Sequence, residues 1–211
     1  MAACLIGKFA CSTGGQFIRF TRLMCPLCNS AISPARIRCR PGDFTQINTD
    51  INVLMVARSL RLLDVQPGDR VADLFCGLGN FSLPMAKKGA QVLGIEGADY
   101  LVRRARDNAR LNGCETNVRF QTADLFEAHP GTGAAWGQLD KMLLDPPRSG
   151  AYAVCRCCIS LICRNVLCMC RAIRPRLPAM QRCGWRKAMV LWLRYHEYVC
   201  TNGACGNHRL A

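Results

Sequence analysis

The stretch Val71-Ala-Asp-Leu-Phe-Cys-Gly-Leu-Gly-Asn-Phe81 constrains this chain more than any other, because it predicts a strand, a glycine turn and a helix start in succession. Residues 71–75 form a short apolar run with one acid, the pattern of a strand buried in a parallel sheet. Gly77 and Gly79 permit a tight turn and let a ligand approach the backbone closely. Helical spacing resumes over 81–88, so the turn is expected to present free backbone N–H groups at the mouth of the helix. The next apolar run, 91–95, ends in Glu96, at the distance where nucleotide-binding folds place a carboxylate on a ribose. A glycine turn alone would equally suit an ordinary strand-to-helix loop. However, Asp124 follows another strand-like run, 118–121, and Asp140-Lys-Met-Leu-Leu-Asp-Pro-Pro-Arg-Ser-Gly150 carries a fourth strand into an acid and two prolines. Ligands of open α/β sheets lie beyond the carboxyl ends of the strands, so three acids and a glycine turn at such ends point to one nucleoside-cofactor site within 71–150.

The remaining elements fit the same plan. Thr49 or Asp50 can cap a helix over 51–63, whose Val53, Val56, Leu60 and Leu63 recur at core-facing spacing. Pro67-Gly-Asp69 is a turn. Strands are predicted over 70–75, 91–95, 118–121 and 141–144, and Asp99 can cap a helix to Leu111 that stops at Gly113. The alternation predicts an α/β fold with a doubly wound, mainly parallel sheet. Arg103, Arg104, Arg106 and Arg110 are expected to form a solvated helix face.

Five motifs lie in order along the chain: Gly42-Asp-Phe-Thr-Gln-Ile-Asn48, Leu74-Phe-Cys-Gly-Leu-Gly-Asn-Phe81, Gly94-Ile-Glu-Gly97, Asn108-Ala-Arg-Leu-Asn-Gly113 and Leu144-Asp-Pro-Pro-Arg-Ser-Gly150. Together, over about residues 40–154, they resemble the bacterial RNA uracil-C5 methyltransferases, most of all the branch acting on 23S ribosomal RNA. The resemblance implies a class I, Rossmann-like methyltransferase fold, S-adenosylmethionine (S-adenosyl-L-methionine) as cofactor, and RNA rather than DNA or a membrane as partner. Carried over by position, Gln46, Phe75, Asn80, Glu96, Asp124 and Asp145 match the family's cofactor-binding residues. Their chemistry suits that role: Glu96 can accept from ribose hydroxyls, Asp124 from the adenine edge, and Phe75 shapes the loop. The reaction so implied is covalent catalysis. A cysteine thiolate adds to C6 of a uracil drawn out of its stack, C5 takes the methyl group, and a base removes the C5 proton before the cysteine leaves. Residues 145–149 would lie beside the methyl donor and help to seat the base. A dinucleotide-dependent dehydrogenase is the weaker alternative, because G-x-G-x-x-G is broken at Ser82 and Asp-Pro-Pro has no part in hydride transfer.

The net charge of +14 would suggest nucleic acid by itself. Its distribution argues otherwise: residues 41–150 hold 12 Lys/Arg and 13 Asp/Glu, and the flanks hold the other 16 bases with the single acid Glu197. Cysteine follows the same division, since only Cys76 and Cys114 of the 16 lie within 41–150. The irregular spacings do not suit a disulfide framework, and Cys25-Pro-Leu-Cys28 has no second pair at zinc-site distance, so no metal is expected. No apolar run suits a bilayer span, the nearest (153–170) being interrupted by Arg156 and Arg164, and the start lacks the basic region of a secretory signal. A cytoplasmic protein is the expectation.

A displaced reading frame accounts for the acid-poor, cysteine-rich tail and for the end of the resemblance at Val154. The family continues with a strand ending Tyr-Val-Ser-Cys-Asn-Pro, whose cysteine is the nucleophile. Here the corresponding place reads Cys168-Met-Cys-Arg-Ala-Ile-Arg174. The permitted codons TGT ATG TGT CGT GCA ATC CGx, regrouped from the third base, read TAT GTG TCG TGC AAT CCG, which is Tyr-Val-Ser-Cys-Asn-Pro. The expected organisation is therefore a non-matching flank over 1–39, an S-adenosylmethionine-binding domain over 40–153, and a frameshifted tail over 154–211. The flanks are expected to be irregular, with adventitious helix near 188–198. No catalytic residue is assigned. Cys170 lies one position from the family's nucleophile and has no activating partner, and Glu197 stands in no family-like motif. By the resemblance the chain is read as a truncated S-adenosylmethionine-dependent RNA methyltransferase forming 5-methyluridine in 23S ribosomal RNA, the alternatives being a catalytically inactive donor-binding fragment or a tRNA-acting relative.

Overall fold

The computed structural model describes residues 10–12, 15–19, 35–40, 42–46, 49–147, 151–157, 165–168 and 189–192. Three strands, β1 (Ala10–Ser12), β2 (Gly15–Arg19) and β3 (Arg36–Cys39), form a small antiparallel sheet. The chain then alternates through α1 (Thr49–Leu62), β4 (Arg70–Leu74), α2 (Ser82–Lys87), β5 (Gln91–Glu96), α3 (Asp99–Asn112), β6 (Val118–Thr122), α4 (Pro130–Ala135), β7 (Lys141–Leu144), α5 (Tyr152–Cys157), β8 (Asn165–Cys168) and β9 (Met189–Trp192). The main sheet has the order β6-β5-β4-β7-β8-β9, and every neighbouring pair is parallel. From β4 the chain steps outward to β5 and β6, then returns to β7 on the other side of β4. The crevice beyond the carboxyl ends of β4 and β7 is thus the topological switch point, where doubly wound folds hold ligands.

The strand residues follow from burial on both faces. Val71, Ala72, Asp73 and Leu74 are fully buried, and their side chains alternate between two core layers. Val71 packs in one layer with Leu60 and Leu63 of the α1 region, Leu83 and Met85 of α2, Val102 and Ala105 of α3, and Ile37 of β3. Ala72 and Leu74 pack in the other with Ile95, Trp136, Leu139, Met142 and Val154. At the opposite end from the switch point, the buried Lys141 ammonium donates to the Asp69 carboxylate at 2.7 Å and to the Asp64 carbonyl.

Several expectations are corrected. The flanks were expected to be irregular, yet β1 to β3 pair in the first and β8 and β9 extend the main sheet in the second. The predicted helix near 188–198 is replaced by a strand at Met189–Trp192. Asn165-Val-Leu-Cys168 and Met189-Val-Leu-Trp192 are four-residue segments carrying three and four apolar residues, too short for periodicity to separate strand from helix. Pairing decides the outcome: the open edge of β7 takes β8, and the edge of β8 in turn takes β9. The Cys25–Cys28 pair, Cys170 and Glu197 lie outside the described residues.

Two helix starts also differ. Helix α1 already includes Thr49 and Asp50, and α3 begins at Asp99 with Ala98 as its cap residue. The Asp99 carboxylate instead pairs with Arg103 at 2.6 Å and accepts from the Thr122 hydroxyl. Gly113 ends α3 in the left-handed conformation, φ +64°, as expected.

Candidate functional site

The loop that leaves β4 is built for a sharp turn. Phe75 has φ +63°, uncommon for a residue with a Cβ, and Gly77 and Gly79 follow at +54° and +92°. The Cys76 N–H donates to Ile95 O at 3.1 Å and the Gly79 N–H to Cys76 O at 2.9 Å, which closes the loop on β5. The two glycines meet different needs. A Cβ on Gly79 would stand 3.2 Å from the Phe120 ring and 3.3 Å from Leu83, whereas one on Gly77 would meet nothing within 4 Å and project into open space.

Two of the turn's expected free N–H groups are taken. The Gly77 N–H donates to Glu96 Oε2 at 3.1 Å, and the Gly79 N–H is used within the loop. Glu96, half-buried at the end of β5, also accepts at Oε1 from the Ala98 N–H at 3.2 Å. Each of its oxygens keeps a lone pair for a ligand. The loop therefore presents a carboxylate to the site.

Three further residues stand at neighbouring strand ends. Asp124, exposed beyond β6, accepts at Oδ1 from the Phe126 N–H at 2.8 Å. That turn carries the half-exposed Phe126 ring to within 5.6 Å of the Phe75 ring, inclined at 59°. Asp145 follows β7 directly and is half-buried, and its N–H reaches Leu74 O at 3.4 Å across the switch point. Phe75, Glu96, Asp124 and Asp145 thus occupy the carboxyl ends of four adjacent strands. Asn80 lies on the α1 side, where its amide exchanges two 2.9 Å hydrogen bonds with Asn52. Gln46, half-buried, comes from the separate 42–46 segment that follows β3.

Two residues escaped the sequence reading. Phe126 gave no signal, because an aromatic in a loop has no periodicity. Asp73 showed only as the single acid in an apolar strand. It is fully buried, its Oδ2 accepts from the Ser82 hydroxyl at 2.5 Å, and its Oδ1 has no hydrogen-bond partner among the described residues. Burial, then the Asp145 and Glu96 charges, push its carboxyl up to about 7, against the opposing hydrogen bond from Ser82. Residues 75–81, 96–98, 123–126 and 145–147, the described loops around the site, carry three carboxylates and no lysine or arginine. With Asp73 beneath them, the field favours a cationic ligand.

The same field disarms the nearest thiol. Cys76 is buried, and burial with the charges of Asp73 and Glu96 raises its ionisation well above the usual thiol value, so at neutral pH it is no thiolate nucleophile. Among the described residues no group of His, Cys, Asp and Glu could hold a metal ion. The α3 arginines form the expected solvated face, with Arg103, Arg106 and Arg110 exposed, and each has a partner in the chain: Asp99 for Arg103, Asp43 for Arg104, the Phe120 carbonyl for Arg106 and Asp107 for Arg110.

Residues 35–156, more than half of the chain, match the profile of the tRNA (Uracil-5-)-methyltransferase family. The chain belongs to that family. Two curated relatives are named 23S rRNA (uracil(1939)-C(5))-methyltransferase RlmD. The one from Neisseria lactamica is 67% identical over 115 residues, covering 54% of this chain and 25% of the relative. The one from Aromatoleum aromaticum is 61% identical over 115 residues, covering 54% of this chain and 27% of the relative. The chain thus spans about a quarter of the length of these family members. A solved structure of Pyrococcus abyssi tRNA (uracil-54, C5)-methyltransferase in complex with S-adenosyl-L-homocysteine shares the fold, with a TM-score of 0.51 at 22% identity, over 67% of this chain and 31% of that one.

The family motif at Gly94 has a steric reason. An added Cβ would lie 2.5 Å from Cδ1 of the buried Phe120 ring and 3.1 Å from Cys76 Sγ. Gly94→Ala is expected to destabilise the fold by about 1–3 kcal/mol through overpacking, read as a lowered midpoint in urea. An unchanged midpoint would mean that the ring moves aside freely.

Proposed function

We propose that residues 40–153 are the S-adenosylmethionine-binding domain of an RNA uracil-C5 methyltransferase whose acceptor is 23S ribosomal RNA, working in the cytosol. The observation that carries this reading is the set of carboxylates around the β4 loop at the switch point, with an orphaned buried Asp73 oxygen below and open space above Gly77. The residues fit the donor. When bound, S-adenosylmethionine supplies an electrophilic methyl group on a positively charged sulfur. Glu96, already oriented by two N–H donors, has lone pairs for the ribose hydroxyls. Asp124 can accept from the adenine edge beside the Phe75–Phe126 pair, and Asp145 and Asp73 offset the positive charge. Gln46 and Asn80 complete the set of donor-binding residues, Asn80 with its amide held by Asn52 of α1. The RNA acceptor is supported by the 23S rRNA enzymes at 67% and 61% identity.

Turnover is a separate matter. Cys39, Cys76 and Cys114 are buried, and burial leads in raising all three thiols, so none of these three is poised to attack uracil. We therefore propose donor binding without methyl transfer, with the 154–211 tail read from a displaced frame. Calorimetry with S-adenosylhomocysteine and transfer of labelled methyl groups to a 23S rRNA transcript test both halves. Saturable binding with no transfer is the expected result. No affinity for S-adenosylhomocysteine would overturn the donor site, and transfer at enzymatic rates would overturn the inactivity. Sequencing of the gene, with mass spectrometry of the tail, tests the frame.

A further inference from the structure

Helix α3 carries Arg104, Asn108 and Asn112 at successive i, i+4 positions, hence on one face. Each holds the extended segment beside it. Asn112 Oδ1 accepts from the Arg36 N–H at 2.8 Å, and its Nδ2 donates to Arg36 O at 2.7 Å. One turn earlier Asn108 repeats the pattern on Arg38, at 2.8 Å and 3.3 Å. Arg104 completes the series on the Asp43 carboxylate. The match has a geometric cause: four helical residues rise about 6 Å, and two strand residues advance about 6.6 Å. Two asparagine amides one turn apart therefore meet alternate peptide groups of β3 much as a neighbouring strand would. β2 covers one edge of β3 and this amide ladder covers the other.

The two asparagines differ in their last N–H. That of Asn112 returns to its own helix, at Asn108 O, 2.7 Å away. That of Asn108, which is 1% exposed, crosses to Leu78 O at 3.2 Å, in the middle of the glycine loop. One buried amide thus joins the loop to the strand that leads into Gln46.

We propose that Asn108 is a positioning residue of the donor site, holding the 77–80 loop and the 36–46 segment in one register so that both close on the same ligand. The inference rests on the donor-binding reading above and assigns a role to the Asn108-Ala-Arg-Leu-Asn-Gly113 motif. The test compares Asn108→Asp and Asn108→Ala with Asn112→Asp and Asn112→Ala in the full chain. Two readouts are used: calorimetry with S-adenosylhomocysteine, and amide hydrogen exchange over 77–81. The Asn108 variants are expected to weaken binding about tenfold, the equivalent of one buried hydrogen bond, and to speed exchange in the loop. The Asn112 variants are expected to bind within about twofold of the parent and keep the loop protected, while loosening β3 to the same degree. If Asn108→Asp fails to fold because it buries a charge, Asn108→Ala carries the comparison. Parental affinity and loop protection in Asn108→Ala, or an equal loss in Asn112→Ala, would overturn the proposal. If the parent itself has no affinity, the donor reading falls, and the exchange comparison still decides the role of Asn108.

Discussion

Glu96→Ala is expected to weaken S-adenosylhomocysteine binding by about 100-fold or more, the largest loss from any single change in the site. The carboxylate has two tasks. It orders the loop by accepting from the Gly77 and Ala98 N–H groups, and it leaves lone pairs facing the ligand. Hydrogen bonds to a charged group contribute about 1.5–3 kcal/mol each, and unpaired donors in a half-buried loop add a desolvation cost. Glu96→Gln keeps the shape but turns an N–H toward a backbone N–H, so an intermediate loss is expected. Calorimetry on variants shown to be folded by thermal melting decides the matter. Affinity within threefold of the parent for Glu96→Ala would remove this residue from the site.

Asp73→Asn is expected to stabilise the fold at pH 8 and to leave it nearly unchanged at pH 4. Asp73 ionises at about 7 in the native state, against about 3.9 in an unfolded chain. Between those values the native state holds a proton that the unfolded state has lost, so the free energy of unfolding falls as pH rises from about 4 to about 7. The full penalty, on the order of 4 kcal/mol, is present above pH 7 and absent below pH 4. Asparagine carries no charge at any of these pH values and still offers an oxygen to the Ser82 hydroxyl. Urea unfolding of parent and variant at pH 4 and pH 8 measures the difference. Equal stability at both values would mean that water or a cation already compensates the buried charge. A protein retains so costly an acid where a positive ligand offsets it, so the same variant should bind S-adenosylmethionine less tightly.

Much of the core was legible in the sequence because the deciding physics is local. Apolar run length marked β4, β5, β6 and β7 to within a residue or so, and Gly113 announced the end of α3. The strand-end acids Glu96, Asp124 and Asp145 could be named because a parallel sheet brings the carboxyl ends of its strands to one side. Helix α4 was missed because Pro130-Gly-Thr-Gly-Ala-Ala135 has low helix propensity. It forms on a proline at its start and a capping box between His129 and Thr132. β8 and β9 were missed because three or four apolar residues have no period to read.

By itself, the sequence determined where the sheet's first four strands lie along the chain, the glycine turn after β4 and which acids end the strands, since chain stereochemistry and apolar spacing act over a few residues. Tertiary structure alone decided where each polar group is satisfied. The Gly77 N–H meets Glu96 nineteen positions on, Asn108 reaches back to Arg38 and Leu78, and one Asp73 oxygen has no hydrogen-bond partner among the described residues. Those partners are fixed by which elements pack side by side, and a hydrogen bond between distant residues leaves no period in the chain.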